Sequence, residues 1–382
     1  MNNASTLEEF MTGLRKFSSP AQNIVFADKV GNIGYFPTGL VPKRKKGYGM
    51  LPVKAVSPED TWERFYPEDK KPHLLNPKKG YISTANNPVI PDSCLPVFAK
   101  DWHPSFRADR IKQLIEERGK LSTEDMKRIQ TDSFLKSAEF LIERIRNLKF
   151  DSKEAGFVAK KLLEWDYYVN KGIAPFLFYR FEKHLAENIF QNHIKETKLH
   201  YLISTSWIYK IMDYPSGKPD PLEIAHWIDN PDTPDQDTFK MLVEKTLIET
   251  HHDYSLTLEK TNAQWEKLHT LTYRHPLGKV PVIGSFLNRG PYIIEGGKST
   301  ILTCSFNKEN FKVSHLSTFR MIVDFSDFSK SLMINSSGQS GHVLSPYYDD
   351  QIELYTKLIY RKMEHRGNKL KTLTLIPKSK DF

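Results

Sequence analysis

Apolar side chains at Leu7, Phe10, Met11 and Leu14 recur at helical spacing and predict an amphipathic helix over residues 5–16. Ser5 with Glu8 matches the capping box that opens such helices. The pattern then changes. Residues 22–28 and 33–36 are β-type runs, and Lys29-Val30-Gly31-Asn32 between them predicts a turn, hence a hairpin. Residues 37–79 lose all periodicity and are rich in Pro, Gly and Lys, which predicts a long loop. Loops of that length in compact domains are usually functional or wrapped on the body. Gly80-Tyr81-Ile82-Ser83-Thr84 then reads as a short β-type segment that gives way to a loop at Ala85-Asn86-Asn87-Pro88.

From about residue 106 the period is helical. Ile111, Leu114 and Ile115 mark one face of a first helix, and Ser122 with Asp125 in the first turn opens a second. Further helices are expected over 133–148, 152–165, 172–194, 199–212, 221–228 and 236–260. The aromatic run Phe176, Phe178, Tyr179 and Phe181 fits a core face better than a ligand box. The last third turns β again, with runs at 292–294, 300–304, 320–325 and 331–335, and a closing helix is expected from about 350 to 365. The three regions divide the chain at 1–130, 131–262 and 263–382.

Composition narrows the classes. With 39% apolar and 12% aromatic residues, the 382-residue chain has enough material for a globular interior of one large or two smaller domains. A net charge of +9 would suit an anionic partner. The basic residues, however, are spread along the chain among 46 acidic ones, and the densest cluster, Lys43-Arg44-Lys45-Lys46, falls in the long loop. No aromatic-interleaved basic stripe or nucleic-acid fingerprint is present, so a solvated basic surface is expected and no nucleic-acid partner. Cys94 and Cys304 stand far apart with no CxxC spacing, which indicates neither a zinc site nor a disulfide framework. No apolar run approaches the roughly 20 residues of a membrane span, and the first residues do not form a signal region, so a cytoplasmic default is expected. An exported partner chain would place it in the periplasm instead.

Local chemistry is sparse. A residue before proline is pushed to extended conformations, so Asn87 should be extended and the two amides held at a strand end. Asparagine tolerates unusual backbone angles and carries both a donor and an acceptor. Such a side chain can point an N–H into a cleft, or simply make an Asx-type turn. His251-His252-Asp253 invites a metal, but adjacent helical residues diverge by about 100° and cannot easily share one ion. Gly338-Gln339-Ser340-Gly341 lacks the spacing and the following Lys-Ser/Thr of a phosphate loop, so a tight turn is expected there.

Several runs, taken in order, resemble the penicillin amidase (penicillin acylase) family of N-terminal-nucleophile (Ntn) hydrolases. They are residues 22–28 with Gly31-Asn32-Ile33-Gly34-Tyr35, 39–44, 76–87, Phe106-Arg107-Ala108-Asp109-Arg110-Ile111, Trp265, His275-Pro276-Leu277-Gly278, Asn288-Arg289-Gly290-Pro291, 320–324 and 338–351. The helical middle matches only in character. The resemblance implies an α/β (α+β) body: an incomplete αββα four-layer Ntn-hydrolase sandwich with a mostly helical middle region. It implies hydrolysis of amides of hydrophobic acyl groups, such as β-lactam side chains or acyl-homoserine lactones. The nucleophile in that family is a serine at the start of the large chain, with its own α-amino group as base. By position, Asn86 matches the asparagine whose side chain donates to the oxyanion, and Arg107 the arginine that orders the site.

The family's small chain, spacer and nucleophile serine find no match in these 382 residues. Ser5 sits on a helix cap with no strand after it, and Ser18 and Ser19 precede nothing like the family's opening strand. The expectation is therefore a C-terminal part of the large chain, complemented by a separately encoded chain that carries the nucleophile. The alternative is a non-catalytic remnant or binding scaffold of the same fold. No cofactor is identified; the resemblance implies calcium, with no ligand recognisable in this sequence.

Overall fold

The computed structural model describes residues 3–47, 49, 51–89, 102–194, 203–214, 218 and 220–363. Cys94, residues 199–202 of one expected helix and residues 364–365 of the expected closing helix lie outside them. The chain forms two units, residues 1–317 and 318–382, each with its own contacts.

The first unit opens with the helix Leu7–Arg15. Its cap is shifted one residue from expectation: Thr6 accepts from the backbone N–H of Glu9, while Ser5 N–H donates to the Glu9 carboxylate. The shift leaves Leu14 facing inward, and it is the helix's one buried side chain. The expected hairpin is present, with β1 (Asn23–Ala27) antiparallel to β2 (Ile33–Pro37) in the register Val25↔Tyr35. Asp28 makes the turn between them by accepting from the N–H groups of Val30 and Asn32. The long loop is more ordered than its composition suggests. Within it β3 (Pro42–Arg44) pairs with β4 (Trp62–Phe65), and β5 (Leu74–Leu75) adds a third strand beside β2. Lys71 helps hold the loop, because its buried ammonium donates to the Gly39 carbonyl and to Glu68.

The core is helical, as the period predicts. The helix Ala174–Phe190 buries Phe176, Leu177, Phe178, Phe181, Leu185 and Ile189 and packs against the helices Lys153–Leu163 and Phe239–Thr261. A helix with apolar residues on nearly every face belongs inside, and this one is wrapped on several sides. A four-stranded sheet closes the core's other side in the order β7 (Arg289–Ile293), β6 (Thr270–Tyr273), β9 (Val313–Leu316), β8 (Cys304–Phe306). Leu271, Cys304, Phe306 and Val313 turn inward to the same cluster as the helices. Two of these strands, β6 and β9, were not expected. They pair in parallel across a long stretch of chain, so no local turn announces them.

In the second unit, β10 (Phe319–Ile322), β11 (Leu332–Asn335) and β12 (Arg361–Lys362) form an antiparallel sheet. The closing helix is much shorter than its apolar pattern suggests, covering Ile352–Thr356. Leu358 takes a left-handed φ of 59°, which ends the helix and returns the chain as β12 onto β11. Residues 338–341 bend without closing a hydrogen-bonded turn of their own: Ser340 N–H donates to the Tyr347 carbonyl, and a Cβ at Gly338 would meet that same oxygen.

Candidate functional site

Residues 80–84 join no strand ladder, contrary to the β-type expectation. They are held by side chains instead, with Asn23 reaching toward the Thr84 hydroxyl and Tyr35 fixing Asn23 through a 2.8 Å bond. The two asparagines that follow play different parts. Asn87 is consumed by the turn: its Oδ1 accepts from Ala85 N–H, and its Nδ2 donates to the Pro88 carbonyl. Asn86 has a left-handed φ of 64°, a region asparagine tolerates better than most residues, and its side chain is turned out into a cleft. Its Oδ1 accepts from Arg107 Nη2 at 2.6 Å. Among the described residues no acceptor takes the Nδ2 hydrogens of Asn86, which are left for whatever occupies the cleft.

Arg107 is aimed by its neighbours. It stands in the first turn of the helix Phe106–Glu116, beside Phe106, which is buried against the rings of Tyr209 and Tyr214. Burying a phenylalanine is worth about 1.5–3 kcal/mol and fixes this end of the helix rotationally. Ser105 and Tyr214 both donate to the Asp109 carboxylate, and Arg110 forks onto Asp132 at 2.9 and 3.3 Å. These contacts leave Arg107 to face the other way. Burial lowers its pKa, although a guanidinium keeps its charge in any event. Among the described residues it pairs with no carboxylate.

The cleft between Asn86 and the core encloses about 430 Å³. Sequence reasoning missed most of its wall, since Glu182, Tyr209, Lys298, Cys304 and Lys308 come from segments that carry no shared motif. Glu182 is fully buried on the central helix and accepts from the Tyr209 hydroxyl. Burial pushes its pKa up, while the bonds from Tyr209 and Thr205 pull it back. Lys298 is pushed down by burial and by the nearby Lys308. Cys304 lies at the inner wall with Sγ 3.3 Å from Nε2 of His269, whose Nδ1 donates to the Phe311 carbonyl. Burial lifts the thiol to about 12, so it stays protonated and is no nucleophile at neutral pH.

The other candidates resolve as structure. Asp253 accepts from His184 and pairs with Arg180, and the His251 ring packs on Phe157. Among the described residues no three His, Cys, Asp or Glu side chains gather as a metal-holding group. No helix among them is long and apolar enough to cross a membrane.

Comparison with known proteins supports the same family. A sequence model of the penicillin amidase family matches residues 1–372. The acyl-homoserine lactone acylase QuiP of Pseudomonas aeruginosa is 25% identical over 417 residues, covering 98% of this chain and 49% of the relative. Penicillin acylase 2 proenzyme of Pseudomonas sp. is 25% identical over 359 residues, covering 92% and 45%. The chain thus spans about half the length of the curated relatives it matches. The fold resembles a thermostable penicillin G acylase from Alcaligenes faecalis, with a TM-score of 0.65 at 17% identity over 98% of this chain and 71% of that one. The α+β fold is that of an Ntn hydrolase, and the chain belongs to the penicillin amidase family.

Proposed function

We propose that this chain supplies the oxyanion-holding half of an acylase-type amide hydrolase, with Asn86 as donor and Arg107 as the residue that orients it. One observation carries the reading. The bond from Arg107 occupies the acceptor end of the Asn86 amide, so the donor end is fixed toward the cleft. A charged donor on Oδ1 also polarises the amide and strengthens its N–H groups. A tetrahedral oxyanion seated against Nδ2 would gain a bond that the ground-state carbonyl makes less well, which is the difference that accelerates acyl transfer.

The attacking serine, in this reading, belongs to polypeptide other than these 382 residues. The relatives' greater length supports it, as does an apolar patch of the first unit formed by Leu277, Val282, Ile283 and Phe286, which are 61%, 82%, 45% and 55% exposed. Exposed clusters of this kind commonly mark contact surfaces. The proposed substrate is an amide of an acyl group, as the names of the relatives suggest.

Turnover of chromogenic acyl anilides tests both parts. The expected result is activity only when a serine-bearing polypeptide is added, with kcat lowered about 10²–10³-fold by Asn86→Ala. Turnover by the chain alone would contradict an external nucleophile. Turnover that is indifferent to Asn86→Ala would remove the oxyanion role.

A further inference from the structure

We propose that the ribbon of β3 and β4, with the loop that joins them, is a docking surface for an anionic phospholipid bilayer. Antiparallel strands usually bury at least one face. Here β3 has no buried residue and all four residues of β4 are exposed, so the ribbon stands off the body. Its far end is apolar. Leu51 and Val56 in the joining loop are 80% and 83% exposed, Val53 is exposed between them, and Trp62 on β4 is 58% exposed. A tryptophan is large, apolar in body and carries a single N–H, so one left this open suits a boundary between water and an apolar phase.

The charge of the ribbon points the same way. Residues 43–64 carry Lys43, Arg44, Lys45, Lys46, Lys54 and Arg64 against Glu59, Asp60 and Glu63. Each of the three carboxylates is already matched by a lysine of the same ribbon. Lys43 meets Glu63 at 3.0 Å, Lys46 meets Asp60 at 3.1 Å and Lys45 meets Glu59 at 3.5 Å. Arg64 also leans on Glu63, at 3.8 Å. Among the described residues Arg44 and Lys54 pair with no carboxylate. Arg44 stands over the ring of Trp62, its partner across the ladder, 5.9 Å from the centroid. The uncommitted cations therefore sit beside the tryptophan and within the apolar loop. At a bilayer, Leu51, Val53 and Val56 can enter the headgroup boundary, Trp62 takes the depth that indoles prefer, and Arg44 and Lys54 meet lipid phosphates. A soluble polyanion would match the two cations and leave the three aliphatic side chains in water. This surface is independent of the chemistry at Asn86.

Co-sedimentation of the full chain with lipid vesicles tests the proposal. Vesicles of mixed phosphatidylcholine and phosphatidylglycerol should bind it roughly tenfold more tightly than vesicles of phosphatidylcholine alone, and added salt should shrink the difference. Lys54→Gln should weaken binding to the mixed vesicles about fivefold. Leu51→Ser with Val56→Ser should weaken it by about tenfold or more, since both side chains lose their apolar contact. Tryptophan emission should shift to the blue on binding, and Trp62→Phe should remove that shift. All four positions are exposed, and unchanged circular dichroism shows that the variants fold. Failure to sediment with either vesicle would overturn the proposal. So would binding that is indifferent to Leu51→Ser with Val56→Ser, or that duplex DNA displaces as well as fresh vesicles do, since the ribbon would then be a basic patch only. A concentration-dependent dimer in the absence of lipid, dissolved by the same two substitutions, would make the tip a contact between copies of this chain instead.

Discussion

Nη2 of Arg107 donates to Oδ1 of Asn86 at 2.6 Å across 21 residues of chain. If this bond aims the asparagine, the two side chains act as a unit and their losses will not add. Asn86→Ala should lower kcat about 10²–10³-fold and Arg107→Ala about tenfold, while the double variant should be no slower than Asn86→Ala. A double-mutant cycle on anilide turnover measures this. Full additivity would make Arg107 an independent contributor and not an orienting group.

The helix that carries Arg107 is bolted down by Arg110 and Asp132, whose side chains are 9% and 7% exposed. Arg110 also stacks over the Phe134 ring, and Asp132 accepts from Phe134 N–H. Removing one partner strands the other as a buried charge, which costs about 3–5 kcal/mol. Asp132→Ala should therefore lower the unfolding free energy by about that amount in urea titration. The joint replacement Arg110→Met with Asp132→Leu should recover much of it.

How much of this could be read from the chain depends on how local each signal is. The hairpin around Asp28 and Asn32 and the helix start at Ser122 with Asp125 in its first turn were legible because every group that decides them lies within a few residues. The helical middle was legible because the apolar period repeats over many turns. Strands β6 and β9 were not, since Leu271 meets Val313 in a parallel pairing that only the finished core specifies. The closing helix misled because Ile352, Leu354 and Tyr355 start a helical pattern that a left-handed Leu358 cuts short. The site divides in the same way. Asn86 and Arg107 stood out by resemblance, while the Asx-type turn was left open between the two asparagines and the structure gives it to Asn87. Glu182, Lys298 and Lys308 reach one cleft from a helix and two distant loops, and only the fold brings them together.

His269 predicts an acid limb to stability. It is fully buried, stacked on Trp265 with centroids 4.4 Å apart, and burial drops its pKa to about 4 from an ordinary 6.5. The unfolded chain therefore binds this proton first. The contribution is whole above about pH 6.5 and is lost as pH falls toward 4, amounting to about 3 kcal/mol. The urea midpoint should fall further between pH 7.5 and 4.5 for the wild type than for His269→Gln, and equal falls would remove the effect.

His184 predicts the opposite limb. Burial alone would push this imidazole down, but its bonds to Asp253 and Glu187 outweigh that and raise it to about 9. Nε2 stands 3.1 Å from Asp253 Oδ2, while Arg180 Nε pairs with the same oxygen at 3.2 Å. The cluster joins the helices Ala174–Phe190 and Phe239–Thr261 on the flank of the core. A folded pKa above the unfolded one means that the charged ring stabilises fully below about pH 6.5, and that this support is lost as pH rises through 9. The site is partly open to solvent, so screening reduces the contribution to about 1–2 kcal/mol. Melting temperatures followed from pH 6 to 9.5 should fall for the wild type and stay flatter for His184→Gln. Raising salt should shrink the difference between the two proteins, since the attraction is between charges that solvent ions can reach. A wild-type profile that is level across this range would show that the Asp253 contact is made by a neutral ring, and that Arg180 alone holds the carboxylate.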